Sequence, residues 1–174
     1  MNYRTMLSTL ALCAALAGPL AAQGKPIQVA LVTPVQIVPQ NEDVSGLRIN
    51  FIYSVNRSVK YVDLGLINVA TGGESEGVEW ALVAYNKGSF QGWQSGIAAV
   101  TRGSFTGLQT GWFTSAGQGK GLQWGLVNTA QHWNGLQLGF VNYAQSLHGL
   151  QIGLINIIKT GGKFPVFPIV NWSF

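Results

Sequence analysis

Hydrophobic and polar residues alternate along this chain in short runs, and the runs recur. In GLQLGFVNYAQSLH, from Gly135, the residues Leu136, Leu138 and Phe140 share one parity while Gln137, Gly139 and Val141 share the other. A period of two marks a β-strand and not a helix. Each run gives way to residues rich in Gly, Ser, Asn and Lys, which is turn composition. The unit returns as GLQWGLVNTAQHWN from Gly121 and GLQIGLINIIKTGGK from Gly149. Looser copies begin at Gly107, Gly92, Gly77, Tyr61 and Gly46, and a degenerate copy, FPVFPIVNWSF, starts at Phe164. This is about nine copies of about 14–16 residues, the signature of a repeat architecture. Each copy predicts one strand of about nine residues and one tight connection. With the segment from Lys25 to Val38, an all-β domain of about ten short strands is expected.

Ten such strands fit two architectures. An antiparallel up-and-down barrel is the first expectation. Strands of about nine residues match the roughly 9–11 that cross a bilayer when tilted, and an even count is usual in bacterial outer-membrane barrels. The chain ends with Val166, Pro168, Val170, Trp172 and Phe174 at alternate positions. That ending resembles the C-terminal assembly signal of such barrels, with Val170, Trp172 and Phe174 as its candidate residues. Connections also separate in part by charge, with Glu42, Asp43, Glu74 and Glu76 at one end of a meander and Arg57, Lys60, Lys87 and Lys120 at the other. In a barrel the leucine-rich face points to lipid and the Gln/Gly face inward.

A parallel β-solenoid is the alternative. There every copy sees the same neighbours. Gln94, Gln109, Gln123, Gln137 and Gln151 hold one repeat position and would stack as an amide ladder, as would Asn128, Asn142 and Asn156. In this reading the leucines form a dry interior, the Gln/Gly face meets solvent, and connections such as 86–91 and 101–106 recognise ligand. Pro26, Pro34 and Pro39 at one end, and Pro165 and Pro168 at the other, mark terminators, because proline removes a ladder donor.

Composition moves the picture to the cell envelope. Charged residues are 9 % of the chain, against roughly 25 % in ordinary soluble domains. Arg4, the apolar run from Leu7 to Leu20 and the small residues Ala21 and Ala22 read as a signal peptide over residues 1–22, leaving a single β-repeat domain over 23–174. Cys13, the single cysteine, falls inside that signal, so the exported chain is expected to hold no disulfide and no cysteine metal site. The sequence pI is near 9.4, yet the positive charges are scattered singly. Nucleic-acid binding needs them clustered, and none is expected.

Chemistry-bearing residues are few. His132 and His148 lie in connections at different repeat positions, short of the three or four converging ligands of a zinc site. Glu74, Glu76 and Glu79 are the one carboxylate cluster. Paired carboxylates do acid–base work when one is desolvated, but a glycine-rich connection leaves charge solvated. No serine sits in a nucleophile elbow, and the glycines follow the repeat instead of opening a helix. No catalytic residue, metal site or cofactor is assigned. Trp80, Trp93, Trp112, Trp124, Trp133 and Trp172 read as core or interfacial belt before ligand-stacking surface, because most share the parity of the repeat leucines.

The units GLQLGFVN and GLQIGLIN and the ending FPIVNWSF resemble a family of bacterial surface-repeat proteins, exported proteins that carry runs of a GLQLGLVN-like motif. The segment from Leu31 to Tyr53 looks like their N-terminal part. Ala84, Ala99 and Thr114 replace the Asn of the motif, which interrupts an Asn ladder through the middle. The resemblance implies a non-enzymatic envelope protein and carries no catalytic residue. The expected partners are outer-membrane lipid and the assembly machinery. The expected location is the outer membrane or cell surface, or the periplasm or medium for a secreted solenoid.

Overall fold

The computed structural model describes residues 25–174; the expected signal peptide and Cys13 lie outside them. Each unit in the middle of the chain opens on a glycine with positive φ, between 111° and 143° at Gly77, Gly92, Gly107, Gly121, Gly135 and Gly149. A side chain is strained in that region of φ, so glycine sets a corner once per repeat. The corners turn the chain into coils.

The strands are β1 (Lys25–Val32), β2 (Val35–Gln36), β3 (Val44–Asn56), β4 (Val59–Ala70), β5 (Glu74–Asn86), β6 (Ser89–Leu138), β7 (Val141–Thr160) and β8 (Val166–Ser173). They form one sheet in the order β2-β1-β3-β4-β5-β6-β7-β8. Every pairing from β1 to β7 through the body of the sheet is parallel, and the register sets each residue against its counterpart in the next copy: Gly77 against Gly92, Gln137 against Gln151. The molecule is a β-solenoid of about 9 turns. The up-and-down barrel is corrected: a meander needs antiparallel neighbours throughout, and antiparallel pairing is confined to the end strands β2 and β8. The expectation of about ten short strands also changes. β6 is a single ribbon of 50 residues, because the ladder continues through wide corners.

The direction of the faces is a second finding. Gln94, Gln109, Gln123, Gln137 and Gln151 are fully buried, and so are Asn128, Asn142 and Asn156. The repeat leucines, such as Leu82, Leu126 and Leu154, and most tryptophans stand outside, while Leu147 is buried. The solenoid expectation of a leucine interior is therefore reversed. Buried amides are tolerable because each finds partners. The glutamine Nε2 donates to the Oε1 of the preceding coil at 2.6–2.8 Å from Gln109 to Gln151. Its second proton ties across the coil to a backbone carbonyl six residues on, as from Gln123 to Thr129 at 3.1 Å. The asparagine ladder runs the opposite way, from Asn128 to Asn142 at 2.7 Å and from Asn142 to Asn156 at 2.8 Å.

Strict alternation does not last through the unit. Leu126 and Val127, adjacent in sequence, both face away from the interior, and Asn128 and Ala130 then point in. The parity switch at this corner lets Gln at one parity and Asn at the other share one interior. The interior also holds a short apolar column, in which Phe90 stacks on Phe105 with centroids 5.9 Å apart and Phe105 on Trp133 at 6.1 Å. Trp133 reaches over Gly119, where a Cβ would lie 2.1 Å from its ring. The expected recognition segments 86–91 and 101–106 thus point Phe90 and Phe105 inward as core.

Candidate functional site

Two features stand out from the regular stack. The first is a charged stretch at the N-terminal end of the glutamine column. Arg48, Asp63 and Glu79 occupy the repeat position that Gln holds later, and all three are buried. Arg48 donates to both carboxylate oxygens of Asp63, Nε to Oδ1 at 2.7 Å and Nη2 to Oδ2 at 2.6 Å. Glu79 Oε2 accepts from Asn86 at 2.7 Å and Gln94 at 2.9 Å. Burial, and next the Asp63 carboxylate, push the Glu79 carboxyl up to about 8. One cation already has its anion, so Glu79 keeps its proton near neutral pH. The signal was in the sequence: aligning GLRIN, YVDLG and GVEW with GLQLG sets Arg48, Asp63 and Glu79 in register with the glutamines. The expected acidic cluster is divided, with Glu79 inside and Glu74 and Glu76 outside.

The second feature is outside. Glycines two residues beyond each glutamine, among them Gly96, Gly111, Gly125 and Gly139, form the floor of a long groove. Leu82, Trp112, Leu126 and Phe140 wall one side, and Trp80, Trp124 and Ile152 the other. Its volume is about 1020 Å³, the upper end of ordinary ligand sites at roughly 300–1,000 Å³. Trp80, Trp112 and Trp124 are 63–65 % exposed. Across the strands that carry this face, 47–52, 62–67, 78–83, 93–98, 108–113, 122–127, 136–141 and 150–155, the charged residues are Arg48, Asp63 and Glu79, all turned inward. The exposed charges Arg57, Lys87, Arg102, Lys120 and Lys159 sit on the remainder of the coil. The solenoid is amphipathic across these coils.

The chain matches no protein-family model, no curated protein and no solved structure.

The tryptophans divide accordingly. Trp133 is core, while Trp80, Trp93, Trp112 and Trp124 line the groove. His132 and His148 border a smaller pocket with Lys120, and His132 Nδ1 pairs with Ser146 Oγ at 2.7 Å. No group of three His, Cys, Asp or Glu suited to a metal occurs among the described residues. Val170, Trp172 and Phe174 lie on or just past β8, which runs antiparallel along β7 and covers the last coil. Trp172 packs edge-on against Phe164, and Phe174 is 85 % exposed.

Proposed function

We propose that this chain is an exported, non-enzymatic binding module of the cell envelope that recognises its partner through the uncharged face of the solenoid. One observation carries the reading: an apolar groove continuous over seven coils, with no outward charge on the strands that form it. Soluble monomers rarely expose apolar surface on this scale, and such surface marks interaction sites. The signal-like N-terminus and the resemblance to exported surface-repeat proteins support the address, and outer-membrane lipid is the partner class we favour.

A dye that fluoresces on apolar surface tests the reading on the exported chain. It is expected to bind the native protein at neutral pH, to lose more than half its signal in Trp112→Lys or Leu154→Lys, and to keep it in Gln131→Lys on the polar side. Equal signal in all three variants overturns the proposal.

A further inference from the structure

The groove has features that select among apolar occupants. Its floor is backbone, yet that backbone is already paired, as in Gly139 N to Ile152 O at 3.0 Å. An extended peptide laid in the groove would find no partners for its own amides on the floor, and buried unpaired amides are costly. A hydrocarbon chain carries no such groups. The length also suits a chain: seven steps from Gly65 to Ile169 at the usual strand spacing span about 34 Å.

Charge complementarity narrows the choice further. No cation lines the groove, so an ionised carboxylate or phosphate would enter without a counter-charge. The wall that holds Trp80 and Trp124 is interrupted once, by Ser95 and Thr110 on the two coils between them. There Trp93 leans over and its Nε1 donates to Thr110 Oγ1 at 3.1 Å. That bond leaves the Thr110 hydroxyl proton free to donate. A neutral hydrogen-bond acceptor midway along an apolar channel is what this notch fits.

Resting on the reading of the apolar face as the recognition surface, we infer that the groove holds the extended acyl chain of a neutral ester lipid, with the ester carbonyl at the Ser95–Thr110 notch. The probe is methyl dibromostearate, whose bromines quench nearby tryptophans, compared with its free acid at pH 8. The ester is expected to quench Trp80, Trp112 and Trp124 emission saturably and to bind roughly tenfold or more tightly than the ionised acid. Leu126→Lys, on an exposed wall position, is expected to abolish quenching. Thr110→Val keeps the shape of the wall and is expected to narrow the preference for ester over the corresponding hydrocarbon.

No quenching by the ester, or equal quenching in Leu126→Lys, overturns the inference. Attachment to phosphatidylcholine vesicles without uptake of monomeric ester points to docking on a planar membrane and overturns it too. Concentration-dependent dimerisation that Leu126→Lys removes identifies a second copy as the occupant and has the same force. In these last two cases the apolar face stays the recognition surface, whereas loss of dye binding and ester binding together sinks both proposals.

Discussion

At the scale of single residues, the interior is a line of side chains that satisfy one another. Arg48 and Asp63 are the sensitive point. Arg48→Gln leaves the buried Asp63 carboxylate without its cation, and removal of one partner of a buried pair costs about 3–5 kcal/mol. Converting Arg48, Asp63 and Glu79 together to Gln extends the amide ladder and is expected to recover most of that loss in urea unfolding. Glu79 alone gives a pH signature. Its folded carboxyl is raised to about 8, so the folded state holds the proton more tightly than the unfolded one. The stability this contributes is complete below the ordinary glutamate range and is lost as pH rises toward 8. Glu79→Gln is expected to flatten the wild-type decline in urea midpoint between about pH 5 and pH 8. An unchanged slope in the variant would show that Glu79 is charged in the fold.

At the scale of the coil, the opening glycine has two reasons to be there. At Gly135 φ is 132°, and a Cβ would stand 2.2 Å from the carbonyl oxygen of Gly121. Strain and collision with backbone act together, so Gly135→Ala is expected to cost at least about 2 kcal/mol. Gly72 lies in a connection, and a Cβ there would meet nothing within 4 Å, so Gly72→Ala should fall within about 0.5 kcal/mol of wild type. Thermal unfolding of the two variants checks the contrast. Tyr61 holds the same corner with φ of 83°, the one early copy that tolerates a side chain there.

At the scale of the molecule, a stack of identical coils has open ends, and unpaired strand edges invite association. The proline-bearing segments close them. β2 turns back on β1, and β8 turns back on β7. Asn171 keeps its side chain within the cap, donating to the Phe164 carbonyl at 2.8 Å. Removal of residues 164–174 is expected to expose the last amide ladder at Gln151 and Asn156 and to produce end-to-end assemblies by sedimentation. Removal of Phe174 alone, which is 85 % exposed, is expected to leave the monomer intact. A truncated chain that stays monomeric would show that the ends are blunted by something other than β8.

The sequence by itself determined the all-β class, the repeat and its period, the residues that form the ladders and the terminators at each end. All of these are local or periodic, and they survive any arrangement of the copies. It also held the register of Arg48, Asp63 and Glu79 with the glutamines, though only once the copies are aligned by position. Tertiary structure alone decided parallel against antiparallel stacking, and which face is inside. Period-two patterning defines two faces without naming the interior, and hydropathy favours the leucines for it. Gln123 and Asn128 prevail because each coil places the same amide one strand spacing from the last, so each of them meets a partner in the neighbouring coil. That satisfaction exists only between coils, in a parallel and in-register stack, and no single copy contains it.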